Sequence, residues 1–229
     1  MKRLILIIFL MTLCVSYAES IPVIIEGKDF KGEKIKDFIF VFDKDLVIYK
    51  DKTYGLKKIE DLYISEGLGI LYDGKDVFNI YVLKDFIFSP EKEIVIKDGR
   101  KYNTKKIGKI YFAITKYNYN LEGFKVFAYG INPRLRYTLL ELCIFNYDEK
   151  PIVLQQNMFK VSLGNIFYFP DSASSIYLSS EGKEVLFRKL LNPKEGVVAY
   201  LTFDLHGVPD KLIIDLNFGL EKPIEIKLP

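Results

Sequence analysis

His206 is the only imidazole in the chain, and it stands between Asp204 and Asp210 in the stretch DLHGVPD. A metal site needs several soft or carboxylate ligands that converge, so these three residues sketch at most a weak cation site; the simpler reading is a solvated loop histidine. Paired acids could hydrolyse a glycoside if two carboxyls faced each other about 5–10 Å apart in a cleft. The acid pairs here, such as Glu60-Asp61 and Asp148-Glu149, lie among lysines in turns and read as solvated loop charge. Ser172, Ser174 and Ser175 in PDSASS lack a G-x-S-x-G elbow. Gly67 and Gly69 in SEGLGI lead into a strand rather than a helix, so they cannot cradle a phosphate. Cys143 has no neighbouring histidine or basic cluster to lower its pKa and reads as a small packing residue. The lysine- and tyrosine-rich segments YGLKKIEDLY and YNTKKIGKIY could face a polyanion, but nearby acids make solubilising charge the better explanation. No catalytic residue, cofactor or metal ligand is therefore assigned.

The elements that would have to position such groups begin after a segment of different character. MKRLILIIFLMTLCVSYAES has a basic start, an apolar run from Leu4 to Val15, and small residues at Ser16 and Ala18. It reads as a secretory signal, residues 1–18, cleaved after Ala18. The apolar run is shorter than the roughly 20 residues of a membrane span, and Leu13 before Cys14 disfavours a lipid-anchored cysteine. The chain has 33 basic and 30 acidic residues, and cleavage would remove Lys2 and Arg3. A nearly neutral protein results, which argues against nucleic acid as a partner. Cys143 would be the one cysteine left, so no intramolecular disulfide could form and the core alone must hold the fold.

That core begins with a repeat. KDFIF occurs at 36–40 and again at 84–88, and sliding 36–64 over 84–112 without a gap gives 13 identities in 29 pairs. Chance in this composition would give roughly two or three, so a tandem duplication is expected, with units at about 22–68 and 69–116. LVIYKDKTY and IVIKDGRKY are β-branched and aromatic runs broken by short polar turns, and Asp98-Gly99 is suited to a two-residue hairpin. No stretch of either unit keeps a 3.6-residue apolar period, so no helix is expected. The order of strand and turn over about 45–83 resembles the small SH3-like barrels of bacterial proteins. That resemblance implies a barrel-like module over 19–116, as separate small barrels or as two copies packed on each other.

From about 117 the strands lengthen and alternate cleanly. Val197, Ala199, Leu201 and Phe203 share one face of GVVAYLTFDL; Leu212, Ile214, Leu216 and Phe218 share one face of KLIIDLNFGL. In YTLLELCIFN the apolar face is Leu140, Leu142 and Ile144, with Cys143 pointing the other way. Each pattern predicts a strand with one face on a core and one towards water. Six or so strands punctuated by NYDEKP, FPDSAS and NPKEG predict an antiparallel β-sandwich over 117–229. Asn146, Pro151, Phe159, Leu191-Asn192-Pro193 and Phe203 are landmarks by which this region resembles the immunoglobulin-like domains of a bacterial exported family of unknown function, related to small secreted antigens. The resemblance implies an immunoglobulin-like sandwich and a periplasmic or extracellular location, and it implies no catalytic residue. The chain departs from that family at Lys194, where a glycine commonly follows the proline; Gly196 comes two positions later.

The most aromatic loop-like stretch is NIFYFPDSASSIYLSS, with Phe167, Tyr168, Phe169 and Tyr177. Aromatics suit partner recognition, but the spacing also fits a strand that buries Phe167 and Phe169, and that core reading is the one adopted. The functional expectation is an exported, non-enzymatic interaction module that uses sheet edges or loops to contact an envelope protein or a wall polymer. A periplasmic assembly chaperone donating an edge strand, and an envelope-glycan enzyme using paired carboxylates, are the alternatives.

Overall fold

In the first part of the chain five strands follow one another as a meander: β1 (Glu19–Ile25), β2 (Lys28–Ile35), β3 (Phe38–Val41), β4 (Leu46–Tyr49) and β5 (Lys52–Gly55). A second meander follows, of β6 (Lys57–Ile59), β7 (Leu62–Ser65), β8 (Ile70–Tyr72) and β9 (Val77–Asn79). The structure, a computed structural model, describes residues 19–127, 130–170, 176–178, 188–205, 207–216 and 222–228, with backbone alone for 120–127, 130–136 and 176–178. The expected signal segment, 1–18, lies outside the described residues. By packing, the chain divides into two compact units, the first ending at Val77 and the second starting at Phe78. The core of the first is built from Ile35, Phe40, Val47, Leu56, Ile70 and Tyr72.

The second unit opens with a four-stranded meander, β10 (Tyr81–Val82), β11 (Ile87–Ser89), β12 (Ile94–Lys97) and β13 (Arg100–Asn103). Then come β14 (Lys105–Ile107) and the long ribbon of β15 (Ile110–Phe127) and β16 (Gly130–Asn146). The chain continues through β17 (Ile152–Gln155), β18 (Phe159–Leu163), β19 (Ile166–Tyr168), β20 (Ile176–Leu178), β21 (Arg188–Leu191), β22 (Gly196–Asp204), β23 (Lys211–Ile214) and β24 (Ile224–Lys227). Sheet order is β14-β15-β16-β22 in one sheet, with β20 pairing on β15, and β19-β18-β23-β24 in another; β17 and β21 pair separately. The protein is all-β, and its only helical turns among the described residues are the short 3-10 turns Phe42–Lys44 and Gln156–Met158. Each sheet is an open row of strands, and no barrel closes among the described residues. The closed barrel-like module expected for 19–116 is therefore not formed among the described residues; the strands there make open meanders whose ends do not coincide with the ends of the copies.

The repeated sequence gives repeated backbone. Strands β4, β5 and β6 recur residue for residue as β12, β13 and β14. Left-handed backbone recurs too, at Asp45 and Glu93, Lys50 and Asp98, Asp51 and Gly99, and Glu60 and Gly108. So do the bonds from the Leu56 amide to the Asp45 carbonyl (2.7 Å) and from the Thr104 amide to the Glu93 carbonyl (2.9 Å). Lysines that recur in the sequence cover aromatic faces: Lys44 over Phe30 and Lys92 over Phe78, Lys58 over Tyr63 and Lys106 over Tyr111. These cation–π contacts give the repeated lysines a packing role.

At the tip of the first hairpin, Asp51 adopts φ 60° where the second copy has Gly99, and a Cβ on Gly99 would meet nothing within 4 Å. The difference is therefore purely conformational, and a left-handed residue with a Cβ costs about 1 kcal/mol. Asp51→Gly should raise unfolding free energy by about 1 kcal/mol and Gly99→Ala should lower it by about as much in urea titrations.

Beyond the copies, β15 runs unbroken through positions 116 and 117, where sequence similarity ends. The chain does not part there, because one strand carries the end of the second copy into the pairing with β16. Along Tyr137–Phe145 of β16 both faces are buried. Leu140, Leu142 and Ile144 face Phe159, Val161, Leu212 and Ile214 across a sandwich core, joined by Ala199, Leu201 and Phe203 of β22. The opposite face of β16, with Cys143 and Phe145, packs under Phe86, Phe88 and Val95 of the second copy. The water-facing side expected for β16 is thus a second core. Gly196 belongs to the same packing: a Cβ there would lie 2.5 Å from Leu83 and 2.6 Å from Phe86. Lys194 supplies the left-handed turn at φ 60° that a glycine would otherwise make, held by its Nζ bond to the Tyr147 carbonyl (2.6 Å) and by the Tyr147 ring 3.7 Å away.

Candidate functional site

The stretch that turns from β18 into β19 is KVSLGNIFYF. Gly164 takes φ 58° and, with Asn165, makes a two-residue turn that sets Leu163 opposite Ile166, Ser162 opposite Phe167 and Val161 opposite Tyr168. Alternation then divides the side chains. Val161 is buried and Tyr168 packs against the sandwich core, whereas Lys160 and Phe167 lie on the outer face with the Lys160 ammonium 4.8 Å from the ring centroid. Ile166, Phe167 and Phe169 are 59%, 51% and 56% exposed. The expectation that Phe167 and Phe169 are core is overturned. Alternation places both rings on one side of the strand, and there each is more than half exposed.

A two-residue turn closes on a hydrogen-bonded pair, here Leu163 and Ile166, so the next residue directs its backbone N–H and C=O away from β18. That residue is Phe167, on the strand at the end of its sheet. Of the strands that end a sheet, β1, β5, β6, β13, β14, β21, β22 and β24 each carry a charged residue, and β1 also carries Pro22, whereas β9, β10, β17 and β20 carry neither charge nor proline. Of these, β9, β10 and β17 have no apolar side chain more than half exposed, whereas β19 does. Charge and proline are the usual protections of a free strand edge. β19 has neither.

A polar cluster lies on the inner face of the second core. Opposite Glu141 the β15 ladder slips between Ile114 and Lys116, a bulge at Thr115. The Thr115 hydroxyl donates to Glu141 Oε1 (2.7 Å), and Lys97 Nζ from β12 lies 3.0 Å from the same oxygen and 2.7 Å from Asp98 Oδ2. Glu141 is 3% exposed. Burial pushes its pKa up, but the hydrogen bonds from Thr115, Lys97 and Tyr200 and the Lys97 charge outweigh that and hold it below the ordinary value. For Lys97 burial acts downward, and bonds to Asp98 and Glu141 raise it nonetheless. Cys143, beside this cluster, is fully buried and its thiol is pushed up to about 12 by that burial, which leaves it protonated and unreactive. The cluster is a tie between the second copy and β16, a role that sequence reading missed because Glu141 alternates within an apolar run like any solvent-facing residue.

Other candidates from the sequence are scattered. His206, Ser172, Ser174, Ser175 and the Tyr177 side chain lie outside the described residues. Asp204 is exposed at the end of β22, and Asp210 accepts the Gly164 amide (2.7 Å). Among the described residues no group of three or more His, Cys, Asp or Glu could hold a metal ion. A hollow of about 470 Å³ between Gly164 and Lys227 contains two acids, Asp210 and Glu225, and both are engaged: Asp210 by that amide, Glu225 by Lys211 at 2.8 Å. Gly69 takes φ 65° in the turn that leads into strand β8. Among the described residues no helix is long and apolar enough to cross a membrane.

Comparison with known proteins adds little to this geometry. No family model matches the chain, and no curated protein matches it. Among solved structures it is similar to the yjhA protein from Bacillus subtilis, at 18% identity over 56% of this chain and 96% of that one, with a TM-score of 0.43.

Proposed function

We propose that this protein is an exported, non-enzymatic interaction module that binds through the edge of β19. The single observation that carries the reading is the uncharged, proline-free edge strand whose Ile166, Phe167 and Phe169 are each more than half exposed. Exposed aromatics beside free backbone groups are the ingredients of strand addition: main-chain bonds supply affinity and side chains supply selectivity. The signal-like character of residues 1–18 supports export, as does the resemblance of the C-terminal strands to an exported immunoglobulin-like family. Support for a non-enzymatic role comes from the acids Asp210 and Glu225, which are tied to an amide and a lysine rather than presented as a pair.

The test is affinity capture of envelope protein and wall polymer on immobilised protein, comparing the native chain with Ile166→Lys and Phe169→Lys. A bound partner lost by tenfold or more in both variants, at unchanged melting temperature, is the expected result. Equal retention by native and variant proteins, or no retention together with turnover of an envelope glycan, would overturn the reading.

A further inference from the structure

The occupant of the β19 edge follows from the direction of its backbone groups. Phe167 points both N–H and C=O outward, and antiparallel pairing lets two residues in that position exchange both bonds. A two-fold axis beside Phe167 therefore pairs Phe167 with the same residue of another molecule, and Asn165 with Phe169. On the side chains, the two Phe167 rings meet on the outer face, and Ile166 meets Tyr168 on the inner one. No charged residue within the strand faces another, because Ile166–Tyr168 contains none. Other edges match less well: β24 brings Glu225 and Lys227, β1 brings Pro22, and the uncharged β9, β10 and β17 present no apolar side chain more than half exposed to meet Phe167.

We infer that β19 pairs with β19 of a second copy of this chain, joining the two β19-β18-β23-β24 sheets into one continuous sheet. The inference rests on the interaction-edge reading above and names the partner. The contact is isologous, so it closes at two molecules rather than growing into a fibre. Three half-exposed side chains and a short backbone run bury a few hundred Å² per partner, well under the roughly 800 Å² typical of stable complexes, so the dimer is weak and reversible.

Sedimentation velocity of the full chain over about 5 µM to 1 mM tests it, the upper range being chosen for an interface of this size. Native protein is expected to shift from monomer to dimer. Phe167→Pro, which removes only the outward N–H, and Phe167→Lys, which sets two like charges opposite each other, are each expected to remain monomeric throughout, with native circular dichroism. Should the proline disturb the strand, the lysine variant decides alone. A native protein that stays monomeric at the highest concentration overturns the inference, and so do variants that dimerise like native. If the native protein is monomeric while Ile166→Lys and Phe169→Lys still lose a captured partner, self-pairing falls and the interaction edge stands.

Discussion

Lys97→Met should lower the unfolding free energy by about 3–5 kcal/mol, the usual cost of stranding one member of a buried ion pair. Glu141 would keep Thr115 and Tyr200 but lose its cation in a site that is 3% exposed. The double variant Lys97→Met/Glu141→Leu should recover most of the loss, since an apolar pair of similar volume can replace a buried ion pair at little cost. Urea unfolding of the two single variants and the double completes the cycle, and losses that simply add would show the two groups to be independent. The pH dependence has a definite sign. The Glu141 pKa is lowered in the fold, so its contribution is present above its ordinary pKa and is lost as pH falls through the folded value. The Lys97 pKa is raised, so its contribution is present below its ordinary value and is lost as pH rises through the folded one. Stability from this pair is therefore level between roughly pH 5 and pH 10 and declines on either side. In Lys97→Met the acid-side decline should shrink, because protonating a buried carboxylate without a cation relieves a penalty. An unchanged acid limb would refute the assignment.

Asn146→Ala should cost about 3 kcal/mol, from three side-chain bonds at about 1 kcal/mol each, the one to the Leu191 carbonyl fully buried. Asn146 Nδ2 donates to the carbonyls of Lys150 (2.8 Å) and Leu191 (3.1 Å), and its Oδ1 accepts from the Asp148 amide (3.0 Å). Its own amide and carbonyl hold the 192–195 turn through Glu195 (2.9 Å) and Lys194 (2.8 Å). One side chain thus ties the end of β16 to the loop before β17 and to the end of β21. Asn146→Asp should be at least as damaging at neutral pH, because a carboxylate would face two carbonyl oxygens, and it should recover partly in acid when a protonated oxygen can donate. A loss below about 1 kcal/mol in thermal and urea unfolding of Asn146→Ala would mean that the loops hold themselves.

Strand identity was readable in the C-terminal half because alternation is a local property. Val197, Ala199, Leu201 and Phe203 were placed on one face, and all four lie in or against the sandwich core. The orientation of Cys143 away from Leu140, Leu142 and Ile144 follows from the same period. Turn chemistry was equally local: Asp98 and Gly99 take φ 51° and 74° at the hairpin tip. The candidate edge was half readable. Its aromatic character stands out, but alternation says only that Phe167 and Phe169 share a side, not what surrounds that side. Asn146 is legible in the sequence only as a landmark of the family resemblance, while its clamp needs the carbonyls of Lys150 and Leu191, the second of them remote in the chain.

By itself the sequence determined the all-β class, the strand periods, the hairpin turns and the duplicated segment, since each depends on neighbours within a few residues or on comparing the chain with itself. Tertiary structure alone decided what covers each strand face. The same alternating pattern buries Glu141 beneath Lys97 on β16 and leaves Phe167 half exposed on β19, because burial is set by what distant parts of the chain pack against each position. The closing of β15 onto β16 likewise joined the second copy to the C-terminal strands across the place where the repeat ends. Contacts between residues far apart in the chain are chosen by the summed burial of many side chains, and no short window of sequence contains that sum.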